Sequence, residues 1–342
     1  MRTGGIHLIV CTTLATVAAL ATGSAVPAQA NVSTTLAQAG GLATASQTGG
    51  LATARAVGLA TITRTAGAAA PAHVRQSAGR VGRRAVPSVP GRAAYLFDAT
   101  TGTIHFSKQA AKRMPVASLT KVMTAYVVLR EAQLSDTVTV KAEDVKHATT
   151  NGATAAGLRS GERLTVRDLL YGVMLPSGAD AANALARVYG PGNARFVAKM
   201  NVAARSLGLA DTRYANADGL PKPSPGYSTA QDQAKLADIA LREPTLRIIA
   251  STGRHAVKKS ASHRAHTWTN SNKLLGKAPG ALGLKTGYTS AAGYCLSFAA
   301  DRDGHRIIGV ILGESNADRR FQTATRLLDW ASEQTTIDST DL

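Results

Sequence analysis

The chain has 342 residues and carries 39 Lys and Arg against 21 Asp and Glu, a formal charge of +18, with 44% hydrophobic and only 4% aromatic residues. Of the two cysteines, Cys11 falls in a segment that reads as an export signal, which leaves Cys295 alone and excludes an internal disulfide framework and a thiolate metal cluster. The charge does not point to nucleic acid. Eight of the basic residues, all arginines, precede Asp98 in a stretch without acids, and the others are scattered without basic–aromatic alternation.

Residues 1–30 read as an export signal. Arg2 is followed by an apolar run from Ile6 to Ala21 and by Ala28-Gln29-Ala30, a small-residue cleavage site. The run falls short of the roughly 20 residues that a spanning helix needs. Cleavage after Ala30 would remove Cys11 and leave a mature chain outside the cell, without a transmembrane anchor. Its basic surface then suits anionic envelope polymers. Residues 31–92 repeat "GGLATA" at 40–45 and 49–54 and contain no aromatic residue. Such a segment buries little and is expected to be a disordered, low-complexity linker. The domain proper is expected over 93–342.

"RAAYLFDATTGTIHFSKQ" (92–109) predicts two short strands around a turn at Asp98–Gly102. After Pro115 an apolar helix is expected to start at Ser118. Residues 135–250 read as helices and turns: "TVRDLLYGVML" and "DAANALARVY" flank a loop at Pro176–Gly178, and "STAQDQAKLADIALRE" opens on a Ser-Thr cap. Strands return from 254 in "RHAVKKS", "HRAHTWTN", "LGLKTGYT", "GYCLSFAAD" and "HRIIGVILGE", the last two joined by Asp303-Gly304. A terminal helix follows, with Asn316 as cap and Phe321, Ala324, Leu328 and Ala331 at helical spacing; the polar "EQTTIDSTDL" reads as a tail that would not anchor to a membrane. The architecture is therefore α+β. An antiparallel sheet assembles from both ends of the chain, with a mostly helical lobe inserted between.

The chemistry centres on Ser118 and Lys121, which share a helix face. Serine is a weak nucleophile without an adjacent base. Burial among apolar neighbours lowers a lysine's pKa and makes it a base at neutral pH, and a helix start offers free backbone N–H groups to an oxyanion. The plainer alternative is a capping serine beside a lysine that reaches solvent. Two further segments favour the chemical reading. "LPSGAD" places Ser177 in a loop, as a second hydroxyl to relay a proton. "GLKTG" places Lys285, Thr286 and Gly287 on a strand, where a cation and a hydroxyl can hold a carboxylate and glycine permits close approach. Cys295, in an alternating run, reads as a core residue. His263 and His266 read as a solvated strand pair, so no metal site is expected.

With "YLFDATTG", "ASLTKVMTA", "NADGL", "YSTAQD", "TNSNKLL" and "KTGYTSAAGYCLSFAA", the chain resembles the penicillin-binding D-alanyl-D-alanine carboxypeptidases of low molecular mass over about 93–335. The resemblance implies the penicillin-recognising serine peptidase and β-lactamase-like fold, with a five-stranded antiparallel sheet and a groove against the helical lobe. It implies Ser118 as nucleophile, Lys121 as general base and Ser177 as proton relay. Lys285 would supply positive potential, Thr286 would bind the terminal carboxylate, and the N–H groups of Ser118 and Tyr288 would form the oxyanion hole. Substrates would be peptidoglycan stem peptides ending in D-Ala-D-Ala, inhibitors β-lactams, and no cofactor is implied.

One position departs from the pattern: Ala179 stands where the family has an asparagine that contacts substrate and lysine. That opens the balance between hydrolysis and transpeptidation. A β-lactamase is the nearest rival, but Glu243 reads better as a helix-ending Glu-Pro than as a deacylating base. A catalytically impaired wall-binding homologue is the other.

Overall fold

Asp98 closes the first hairpin, which forms one edge of the sheet. The computed structural model describes residues 85–222 and 224–340. The expected export segment, 1–30, and the expected linker up to residue 84 lie outside the described residues. Residues 85–92 run without regular structure, with Val89 buried.

Strands β1 (Ala93–Asp98) and β2 (Ile104–Lys108) form the predicted hairpin. The Asp98 carboxylate accepts from Thr100 N at 2.8 Å, Thr101 Oγ1 at 2.9 Å and His305 Nδ1 at 2.6 Å, tying this turn to the other end of the chain. Strands β7 (Ala281–Thr289), β8 (Gly293–Arg302) and β9 (His305–Glu314) complete a five-stranded sheet of order β2-β1-β9-β8-β7. The neighbours pair antiparallel, and Ala93 sits opposite Leu312. Asp303 and Gly304, with φ of 49° and 80°, make the predicted tight turn between β8 and β9. Two-stranded ribbons lie apart from this sheet: β3 (Thr137–Thr139) with β4 (Arg163–Thr165), and β5 (Arg254–Val257) with β6 (His266–Thr269).

Both faces of the sheet are covered, which explains the unbroken apolar run of β9. Ile308, Val310 and Leu312 join the core shared with the helical lobe. Ile307 and Ile311 point the other way, into a second core with Leu96, Phe298 and the terminal helix α8 (Arg319–Thr340). That helix buries Phe321, Ala324, Leu328 and Ala331 as predicted, and Asn316 Oδ1 accepts from Arg319 N at 3.0 Å. It continues through most of the stretch expected to be a tail, which contains no Gly or Pro to stop it.

The lobe comprises α1 (Thr120–Glu131), α2 (Ala142–Thr150), α3 (Val166–Met174), α4 (Ala179–Tyr189), α5 (Asn193–Ser206), α6 (Ala230–Arg242) and α7 (Pro244–Ser251). Thr229 caps α6 by accepting from Asp232 N. Helix α1 packs against α3, α4, α5 and α6 and is buried from Thr120 to Val128. A helix apolar on all sides needs such an enclosure.

Acid is expected to weaken this arrangement. Burial alone would raise the Asp98 carboxyl, but the bonds from His305, Thr100 and Thr101 outweigh it and hold Asp98 below its ordinary range. Glu314 is held down against burial by Arg319. A carboxyl depressed in the folded chain adds stability above its unfolded value near ~4, and that increment is lost as pH falls through this value towards the folded one. The thermal midpoint should drop between pH of about 5 and about 2. A midpoint flat across that range would show that these contacts contribute nothing.

Candidate active site

The entrance to α1 differs from the simple helix start expected at Ser118. Residues Ala117–Leu119 form a single 3-10 turn, and the α-helix begins at Thr120. Ala117 holds a φ of 50°, in the left-handed region that alanine avoids. The turn is clamped on three sides. Met114 exchanges both backbone hydrogen bonds with Ser228, at 2.8 and 2.9 Å. Gly219, with φ of 81°, lies so close that a Cβ there would collide with the Ala117 carbonyl. Gly287 of β7 lies on the remaining side, where a Cβ would stand 3.1 Å from Ser118 N and 3.0 Å from Val116 O. The close approach expected of the glycine in the Lys-Thr-Gly segment is to the serine turn, against which it seats the edge strand.

Lys121 Nζ lies 2.9 Å from Ser118 Oγ and donates to the Asp218 carbonyl at 2.7 Å. Its side chain is 2% exposed, so the solvent-reaching alternative does not hold. Burial brings its ammonium down to about 8, against the pull of Asp218 and Asp180. About one such group in ten is then neutral at pH 7.

A groove of about 460 Å³ brings together Ser118, Lys121, Ser177, Thr286, Gly287 and Tyr288. Ser177 is presented on a strained backbone, φ 68°, between α3 and α4. The strain is held by fixed neighbours. Gly178 N donates to Gly172 O, Ala179 N to Thr154 O, and the buried Asp180 carboxylate accepts from Ala156 N at 2.7 Å and Leu158 N at 3.0 Å. The Asp180 carboxylate thereby fixes the 154–158 segment to α4. Thr286 Oγ1 and Ser271 Oγ are 2.6 Å apart.

Lys285 is buried and does not line the groove; its Nζ donates to Thr286 O at 3.0 Å. Burial, with Lys121 and Arg320 as cationic neighbours, drives it well below the ordinary lysine range. Besides Lys121, the cation that lines the groove is Arg320, which no motif singled out. It donates to Gly287 O at 3.0 Å and Cys295 O at 3.1 Å, and its Nε has no partner among the described residues.

Asp218 is the other residue that sequence reasoning missed. Its carboxylate is fully buried, accepting from His147 Nε2 at 2.7 Å, Asn183 Nδ2 at 2.9 Å and Leu220 N at 3.1 Å. The only available signal was its place in "NADGL". Asn183, one turn after Ala179, sends its amide to Asp218 and to the Ala179 carbonyl.

Cys295 is a core residue, as expected, and burial pushes its thiol up to about 11. His266 is not solvated as expected: it is buried, 3.2 Å from Glu162 Oε1, because alternation along β6 turns it inward with Trp268. Glu243 sits at the junction of α6 and α7, away from the groove-lining residues. A separate cavity of about 420 Å³ contains Asp238, Arg242, Asp301, His305 and Arg306, with its charges paired to one another or to Asp98.

A model of the D-alanyl-D-alanine carboxypeptidase family matches residues 81–316. A D-alanyl-D-alanine carboxypeptidase of Streptomyces sp. (strain K15) is 39% identical over 256 residues, covering 71% of this chain and 88% of that protein. DacF of Bacillus subtilis, with the same description, is 32% identical over 71% of this chain; the match spans 62% of DacF, less than two thirds of its length. Among solved structures, the Streptomyces K15 DD-transpeptidase superposes with a TM-score of 0.69 at 37% identity, covering 72% of this chain and 98% of that one. A D-alanyl-D-alanine carboxypeptidase from Mycobacterium tuberculosis gives 0.67 at 31% identity, covering 73% and 94%.

Proposed function

The chain belongs to the D-alanyl-D-alanine carboxypeptidase family, and from that premise we propose that Ser118 and Lys121 perform its acyl transfer on peptidoglycan stem peptides ending in D-Ala-D-Ala. Neutral Lys121 takes the Ser118 hydroxyl proton as Oγ attacks the carbonyl of the penultimate D-alanine. The oxyanion is met by the N–H groups of Ser118 and Tyr288, whose strand Gly287 keeps against the serine turn. The C–N bond breaks, Ser177 passes the proton to the departing amine, and water resolves the ester. Thr286 and Arg320 receive the terminal carboxylate, and that negative charge favours the protonated form of Lys285 beneath them. Penicillins acylate the same serine.

The observation that carries this reading is the 2.9 Å approach of a fully buried lysine to the serine, with its pKa brought to about 8. Labelling with a fluorescent penicillin should mark the parent chain and not Ser118→Ala, and D-alanine release should disappear with the label. An unlabelled parent would overturn the assignment. Thr286→Val should remove a hydrogen bond to a charged group, worth about 1.5–3 kcal/mol. That corresponds to a roughly ten- to hundredfold lower kcat/KM on D-Ala-D-Ala peptides; an unchanged value would place the carboxylate elsewhere.

Transfer to an amine is the second reading, favoured by the likeness to a DD-transpeptidase, with Ala179 leaving the balance open. Adding glycylglycine and weighing the products separates the two. The catalytic domain is proposed as 93–342, preceded by a linker and an export signal. The apolar run and Ala28-Gln29-Ala30 support secretion to the cell envelope, and among the described residues no helix is long and apolar enough to cross a membrane.

A further inference from the structure

A lysine that accepts a proton from serine must point its lone pair at the hydroxyl, so its N–H groups need an acceptor elsewhere. With alanine at 179, the acceptor present is the backbone carbonyl of Asp218, 2.7 Å from Lys121 Nζ. A backbone carbonyl is only as well placed as its residue, and Asp218 is held by its side chain. His147 Nε2 and Asn183 Nδ2 converge on one carboxylate oxygen, and Leu220 N takes the other. From this we infer that His147 is a positioning residue for acylation: it fixes Asp218, and through it the carbonyl that orients Lys121, while its charge offsets that of Asp218. The inference rests on Lys121 being the base.

The charges around His147 make the arrangement directional. Asp218 faces it from the 216–220 loop, Lys121 from α1, Asn183 and Arg187 from α4, Asn193 from the start of α5, and Glu143 and Asp144 from its own helix. Arg187 engages Asp144 at 2.7 Å and Glu143 at 3.4 Å, and Asp218 is the anion that His147 contacts, at 2.7 Å. An uncompensated Asp218 stabilises the ammonium of Lys121 and so disables the base; an imidazolium at 147 removes that brake. Consistent with this, the Asp218 bond raises His147, with burial opposing. Asp218, which burial alone would raise, is held down by His147 and then Lys121. The side chain of His147 is 29% exposed, so the proton can exchange with solvent.

The test is the rate of penicillin acylation across pH from about 5 to 10 for the parent, His147→Gln and His147→Ala. Glutamine keeps a donor for Asp218 but no charge, so the acid limb should move to higher pH by about one pH unit. Alanine should move the limb and also lower the plateau further than glutamine does. A limb at the parental pH in both variants, or a loss equal at every pH, overturns the inference and leaves the Lys121 reading intact. An unlabelled parent removes that reading and the inference together. Nitrogen resonances of His147 in the parent chain are a second readout: imidazolium that persists through pH of about 8, where Lys121 titrates, supports the inference, and titration like a free imidazole overturns it.

Discussion

Lys121→Arg is expected to give a folded protein that takes up no fluorescent penicillin on the timescale of the parent. Guanidinium stays charged at every accessible pH and cannot accept the Ser118 proton. A positioned general base is typically worth about 10²–10⁴ in rate, so labelling should fall by that order. The side chain sits in a slot enclosed by α1 and its neighbours, and the larger guanidinium costs about 1–3 kcal/mol in overpacking. A melting curve must therefore accompany the assay. The pH profile supplies the decisive readout. Acylation by the parent should rise as pH climbs through about 8, where Lys121 loses its proton. The variant should stay flat and low at every pH. A folded variant with a parental profile would mean that another group takes the proton.

Gly219→Ala is expected to be nearly as damaging, although it touches no reacting atom. Its φ of 81° lies where alanine is strained, at about 1–3 kcal/mol for the backbone alone. A methyl group would also strike the Ala117 carbonyl and crowd Thr120 Oγ1, 2.9 Å away. The cheapest relief is for the 216–220 segment to retreat from the serine turn, which withdraws the Asp218 carbonyl from Lys121. The melting temperature and the acylation rate should both fall. Gly102→Ala is the control for φ alone: its φ is also 81°, and no atom lies within 4 Å of a Cβ there. It should cost stability without slowing acylation. Equal acylation by the two variants would show that the close approach at 219 is irrelevant to the site.

The serine, the lysine and the edge-strand segment were legible because local spacing and order along the chain express their chemistry. Asp303-Gly304 was legible for the same reason, since a two-residue turn must supply its own backbone conformation. Asp218 was not, because its contribution at the lysine is a carbonyl that any residue owns. His147 and Asn183 lie 71 and 35 positions from Asp218, and nothing local announces their convergence. Arg320 sits within a helix whose apolar spacing accounted for it as surface. The 3-10 turn was hidden because its positive φ falls on Ala117, imposed by Gly219 and Gly287 from remote segments. His266 was misread because two histidines near a turn look wet until the alternation of β6 is known.

Strand β1 finds its main partner in β9, more than two hundred positions later, and only the finished sheet presses β7 on to the serine turn. Loop closure over such a span delays completion until nearly the whole chain is available. A polypeptide cut short before β9 would still own Ser118, Lys121 and Ser177, but its β1–β2 ribbon would lack a mate. A fragment ending before β9 is therefore expected to take up no penicillin.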